Sequence, residues 1–208
     1  MKFRIDLHVH SKYSGDTASE PEETVERAIS RDLQGVVFTE HYLYAASEHV
    51  EGLREKYNDR ILILRGVEFS TEEGHCLIFG VDTDRLALRY APVDDVVRIV
   101  TRQGGVIIPS HPYRSGNSLG DRIRDLNGIT ALEGYNGSNM HAFNVRAVEA
   151  ARVLNLPITG GSDAHEAREA GSCYTEFYDK VTCDNFIDLL KKGNYHGVDT
   201  RKVSRWFF

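Results

Sequence analysis

Short runs rich in Val, Ile, Leu and Phe alternate along the chain with stretches of helical periodicity. The runs fall at Phe3–Leu7, Gly35–Phe38, Ile61–Val67, His75–Val81, Val106–Ile108, Thr130–Leu132 and Pro157–Ile158. Several are continuously apolar, as expected of strands buried on both faces, and Gly, Pro, Ser and Asn punctuate their ends. Between them, Ser19-Glu20-Pro21-Glu22 reads as a capping signal ahead of a stripe of Val25, Ala28 and Ile29. Pro92–Gln103 places Val93, Val96, Val97 and Val100 on one narrow helical face, with Gly104 as the stop. Asn139–Leu154 has mixed helical spacing, and Thr182 is placed to cap Asp184–Lys192 ahead of Gly193. This β-α-β-α rhythm predicts an α/β fold with a parallel sheet, either a barrel or an open doubly wound sheet. No repeat or linker divides residues 1–208, which read as one domain. The apolar tail Val203–Phe208 is expected to pack on that domain or on a partner subunit.

Composition narrows the class. Hydrophobic residues make up 41% and charged residues 27%, as in ordinary soluble globular proteins. No apolar stretch is long enough to span a membrane, and the start is charged too early for a signal peptide. Cys76, Cys173 and Cys183 are odd in number and widely spaced, which argues against a disulfide framework. The expectation is a reduced cytoplasmic protein with no membrane partner. The net charge of −6 opposes long-range attraction to nucleic acid without excluding a positive pocket.

Histidine changes the picture. Nine are present, unevenly placed. His8 and His10 close the first run; at i and i+2 of a strand both rings face one side. Glu40-His41 follows the second run, Glu68 the third, His111 the fifth, and Asp163 and His165 the last. These are C-terminal strand ends, where α/β folds place their sites. Asp16 lies in the loop after His10. His75 instead begins its run, so a reversal of that strand is needed to bring it in. Buried imidazoles each need a partner, and so many at successive strand ends point to metal. His49, on a charged helix, and His141 and His196, in helix-start and loop contexts, are assigned to the surface.

The segment Asp6-Leu7-His8-Val9-His10-Ser11-Lys12-Tyr13-Ser14-Gly15-Asp16 resembles the opening motif of the polymerase and histidinol phosphatase (PHP) family. Thr39-Glu40-His41, Gly66-Val67-Glu68, His75, Ser110-His111-Pro112 and Gly161-Ser162-Asp163-Ala164-His165 follow in family order. The resemblance implies a distorted seven-stranded β/α (TIM-like) barrel with three divalent metal ions at its mouth. It assigns His8, His10, Glu68 and Asp163 to one metal, Glu68, His75 and His111 to a second, and Asp16, His41 and His165 to the third. Glu40 departs from the Asp more usual in the family, which bears on the orientation of the ligands rather than on the ligand set.

Imidazole and carboxylate ligands suit Zn²⁺, Mn²⁺ or Fe²⁺ alike. Three such ions outweigh three ligand carboxylates, so the pocket would attract phosphate. The expected enzyme is a phosphoric ester hydrolase in which a metal-bridging hydroxide attacks a small phosphorylated substrate. Glu68, Asp163, His165 and Arg114 are the catalytic candidates; Arg114, Arg168 and Lys12 are the phosphate-binding ones. Alternatives share the metals: an exonuclease on a nucleotide or short oligonucleotide, a carboxylic ester or lactone hydrolase, and a non-catalytic metal-binding domain. Tyr42, Tyr44 and Tyr113 are candidates to stack a base, or equally to pack at the barrel mouth. Only 35 residues separate His75 from His111, which leaves no room for a large inserted module.

Overall fold

The apolar runs become strands grouped in three sheets. The computed structural model describes residues 2–86 and 90–201, so the expectation for the tail at 203–208 lies outside the described residues. One sheet has the order β10-β9-β1-β2-β3, with β1 (Phe3–Val9), β2 (Gly35–Phe38), β3 (Leu62–Arg65), β9 (Cys173–Phe177) and β10 (Tyr195–Asp199). A second is β4-β5-β6, with β4 (Val67–Ser70), β5 (His75–Phe79) and β6 (Val106–Pro109); the third pairs β7 (Leu132–Asn136) with β8 (Ile158–Gly161). The α/β class holds, with mixed rather than purely parallel sheets. No continuous hydrogen-bonded ring of strands closes among the described residues.

The sequence reading is corrected in several places. The run Ile61–Val67 is two strands, broken at Gly66. The last two sheet runs extend beyond their expected ends, and β9 and β10 were not anticipated. His75 does begin its strand, and the required reversal is present: β5 is antiparallel to both β4 and β6. Helices α1 (Pro21–Ser30), α3 (Val93–Arg102), α4 (His141–Val153) and α5 (Phe186–Lys192) fall where periodicity placed them, while α2 (Val50–Tyr57) was anticipated only as the charged helix carrying His49. Ser19 does not cap α1; Glu20 is the N-cap residue, with Pro21 opening the first turn. Thr182 and Asn185 exchange backbone-to-side-chain hydrogen bonds ahead of α5, and Gly193 ends it with φ of 72°.

Packing explains which faces are apolar. Val25 and Ala28 of α1 and Val50 of α2 pack on Val9, Val36, Phe38 and Ile63. The valines of α3 pack against β6 and the alanines of α4 against β7, in one outer cluster with Val67, Ile78, Ile107 and Leu132. Between the sheets, Ile5, Leu7, Val37, Leu64, Leu77, Ile108 and Phe177 form an inner core beneath α5. The pairing of β1 with β2 slips between Asp6 and Val9, an irregularity of the kind that re-aims side chains next to functional sites. Beside it β8 passes so close that a Cβ on Gly161 would lie 2.4 Å from the His8 Cβ. Only glycine fits there.

Asp6 fastens this junction. Its carboxylate accepts hydrogen bonds from the backbone N–H groups of Ser162 (2.8 Å), Gly171 (2.7 Å) and His8 (3.3 Å). Asp6→Ala would leave these buried donors unsatisfied. The expected loss is about 3 kcal/mol or more of folding stability, read as a lowered urea midpoint at unchanged slope.

Candidate metal centre

Every residue that the sequence assigns to the metals is brought to one end of the sheets. The four side chains of His8, His10, Glu68 and Asp163 are buried and form one potential metal cage. The Nε2 atoms of His8 and His10 lie 3.4 and 3.3 Å from Asp163 Oδ1, and each is 3.5 Å from a Glu68 oxygen. A second group is His41, Glu68 and His75, and a third is His10, His41 and His165. Asp16 Oδ2 is 3.0 Å from Nε2 of both His41 and His165. His111 Nε2 is 2.7 Å from Glu68 Oε1. His41 therefore stands between the second and third groups, its Nδ1 toward Glu68 and its Nε2 toward Asp16.

Outer partners fix the ring orientations. His8 Nδ1 donates to Glu133 Oε1 at 2.8 Å, and His165 Nδ1 donates to the Asp163 carbonyl at 3.1 Å. His10 Nδ1 donates to Ser14 Oγ at 3.0 Å, and the Ser14 hydroxyl in turn donates to Glu40. Each arrangement leaves Nε2 pointing inward as the ligand atom. Glu40 is fully buried and also accepts from the Ser11 backbone and hydroxyl. The longer carboxylate in place of Asp thus acts on His10 through Ser14.

The cluster is electrostatically tense without a cation. Burial works against charge on Glu68 and Asp163, yet His8 and its neighbouring imidazoles hold both carboxyls well below the usual carboxylate range. Burial also disfavours a charged His8, but Glu133, Asp163 and Glu68 outweigh it and raise its pKa well above the ordinary value. Burial lowers His10 to about 4. The Nε2 atoms of His8 and His10 face each other at 3.0 Å. His41 Nδ1, Glu68 Oε2, His75 Nδ1 and Asp163 Oδ1 are buried without any aligned hydrogen-bond partner among the described residues. Close, unaligned nitrogen and oxygen atoms converging on shared points fit divalent cations better than hydrogen bonds. Backbone strain concentrates here too: His111 and Asp163 hold φ of 31° and 52°.

Not every expected residue joins. Arg114 does: its guanidinium donates to Asp163 Oδ2 at 2.7 Å and lies 2.8 Å from His111 Nε2. Lys12 is paired with Glu20 and Arg168 with Glu166, both largely in solvent, so neither carries its charge to the cluster. Tyr113 is buried in the outer core with its hydroxyl on Asp121, and Tyr44 packs under Arg65. His141 is exposed and His196 partly so, as expected, although His196 lies in β10 rather than a loop. His49 is a correction: it stacks on Tyr13 at 4.4 Å, meets Phe38 edge-on, and its side chain is only 9% exposed. The sequence reading missed Glu133. Its carboxylate holds His8, accepts from the His111 backbone at 2.7 Å and accepts from Asn136 at 2.9 Å. It directly follows the run read as Thr130–Leu132, and in the structure it is the second residue of β7.

Comparison with known proteins agrees with this geometry. A family profile described as the PHP domain matches residues 6–129. The chain belongs to the PHP domain family. A further profile described as PHP-associated matches residues 141–195 of this PHP protein. An uncharacterized protein of Methanocaldococcus jannaschii is 28% identical over 145 residues, covering 64% of this chain and 82% of its own. Among solved structures, PsfC from Pseudomonas syringae is similar with a TM-score of 0.70 at 20% identity, covering 96% of this chain and 92% of that one. A candidate metal-dependent phosphoesterase from Bifidobacterium adolescentis is similar with a TM-score of 0.65 at 18% identity, covering 91% and 96%. At these identities the two structures establish the shared fold.

Two outcomes follow from the outer partners. Glu133→Gln is expected to weaken metal binding about 10- to 100-fold, measured by competition with a chromophoric chelator. Metal must also compete with the proton that Glu133, Asp163 and Glu68 favour on His8. Binding should therefore release protons, and apparent affinity should rise with pH. Calorimetry in buffers of different ionisation enthalpy reads that release.

Proposed function

We propose that this PHP-domain protein is a metal-dependent phosphoesterase that hydrolyses a small phosphorylated substrate. The observation that carries the reading is Glu68. Its one buried carboxylate lies within 3.5 Å of ring nitrogens from His8, His10, His41, His75 and His111. A single carboxylate serves that many imidazoles only as the shared ligand of neighbouring cations.

His8, His10, Glu68 and Asp163 would hold one ion, Glu68, His75 and His111 a second, and Asp16, His41 and His165 a third, with Zn²⁺, Mn²⁺ or Fe²⁺ all chemically suited. Bound there, such ions would lower the pKa of a water and draw charge from phosphoryl oxygens. The chain's own residues do the rest. Arg114 reaches across from His111 to Asp163 and is the cation placed to grip a phosphoryl group. Asn136 donates to both Glu133 and Asp163 and keeps Asp163 turned inward. The burial of Glu68 and Asp163 keeps bulk water from weakening these charges. The seven-stranded barrel is part of the same reading. It is supported by the bridges Val9–Ala164 and His41–Glu68, which tie the margins of separate sheets.

Protein purified without chelator is expected to carry about two to three transition-metal ions per chain by elemental analysis, and to release phosphate from p-nitrophenyl phosphate. Arg114→Ala should lower kcat/KM roughly a hundredfold. Unchanged efficiency would remove Arg114 from the reaction, and a metal-loaded protein inert toward every phosphate ester would overturn the reading.

A further inference from the structure

The turn that follows β7 holds Asp163 at two atoms. Asn136, the last residue of β7, donates to Asp163 Oδ2 at 3.1 Å. Ser138 Oγ donates to the Asp163 carbonyl at 2.8 Å. The second contact bears on the first, because Asp163 holds φ of 52°. A residue with a Cβ stays in the left-handed region only where its surroundings over-determine it, and the direction of the carboxylate follows from that backbone. The other strained ligand is treated the same way: the His111 carbonyl accepts from Ser118 Oγ at 2.8 Å.

The turn is itself clasped from outside. Arg201 Nη1 donates to the carbonyls of Gly137 at 2.7 Å and Asn139 at 2.6 Å, one on either side of Ser138. The rest of the guanidinium is held by Asp199, the last residue of β10, with Nε and Nη2 at 2.9 and 2.6 Å from its two oxygens. Four of the five guanidinium N–H donors are thus spent on this one arrangement. A planar fork can serve a carboxylate and two carbonyls at once, which a lysine ammonium cannot. On its other side the turn has no slack. A Cβ on Gly137 would lie 2.3 Å from Ser172 Oγ and 2.6 Å from the Ser162 carbonyl oxygen. The turn is pressed between the segment that carries Asp163 and the side chain of Arg201.

We propose that Arg201 and Ser138 are positioning residues for the metal centre. Arg201 fixes the turn, and the Ser138 hydroxyl passes that fixed position to the backbone of Asp163. The inference rests on the metal-dependent reading, in which neither residue touches substrate.

The test measures Zn²⁺ affinity of the full chain by competition with a chromophoric chelator, beside the urea midpoint of the same metal-free proteins. Ser138→Ala is expected to weaken Zn²⁺ binding about tenfold or more, and Ser138→Thr, which keeps the hydroxyl, to restore most of the loss. Arg201→Ala should weaken binding by a similar factor. Arg201→Lys keeps the charge but not the fork, so it should also bind weakly; it carries the test if the alanine variant does not fold. The double variant of Ser138→Ala with either Arg201 substitution should bind about as weakly as the worse single one, since both act along one path. A merely structural role would lower the urea midpoint and leave Zn²⁺ affinity unmoved. Unchanged affinity in Ser138→Ala therefore overturns the inference, and fully additive losses overturn the path from Arg201 through Ser138. Coupled losses of affinity in a protein that releases no phosphate overturn the phosphoesterase reading and uphold the positioning role. An unsubstituted chain that binds no Zn²⁺ overturns both.

Discussion

The carboxylates of Glu68 and Asp163 are fully buried at one end of the sheets, and the rest of the structure is arranged around that cost. An ionised carboxyl removed from water must be paired or must bind a cation. Here the imidazoles supply partial compensation: His111 is hydrogen-bonded to Glu68, while His41 and His75 approach it without aligned hydrogen bonds. The remaining demand is for positive charge held at fixed points. The slipped pairing of β1, the strained backbone of His111 and Asp163, and the glycine at 161 all serve to keep these groups close. Local order has been given up to assemble a site whose electrostatics close only around cations.

Around that centre lies a second set of contacts which decides what each ligand can do. Glu133, Ser14 with Glu40, and the Asp163 carbonyl each take the Nδ1 proton of one histidine. The choice of nitrogen is made outside the cluster, by groups that never face substrate. The same division governs the cations. Arg114 is drawn inward because Asp163 offers a buried partner. Lys12 and Arg168, although next to ligands in sequence, satisfy nearby glutamates in solvent. Proximity along the chain brought all three to the rim; only the one with a buried counter-charge turned in.

Much of this was legible in the residues. His8 and His10 follow from strand periodicity, the run of acids and imidazoles at strand ends follows from fold logic, and the reversed β5 follows from His75 standing at the wrong end of its run. Glu133 escaped notice because it lies inside β7, whose residues Glu133-Gly134-Tyr135-Asn136 carry little apolar signal. Strands β9 and β10 were missed because alternating polar residues such as Thr175, Glu176 and His196 dilute their apolar signal. The burial of His49 could not be read locally, since it depends on Tyr13 and Phe38 arriving from distant parts of the chain.

The first strand has a wider consequence. β1 is flanked by β2 on one side and by β9 on the other, and the Asp163 N–H is bonded to the His8 carbonyl at 2.7 Å. The first ligands made by the ribosome are therefore completed by some of the last. Until the chain has emerged past β8, His8 and His10 have Glu68 and Glu133 but lack Asp163. Contacts this distant in sequence form late and slowly. The segment that carries His8 and His10 stays unfinished until Asp163 has docked beside it, so metal capture there follows the pairing of distant strands rather than seeding it.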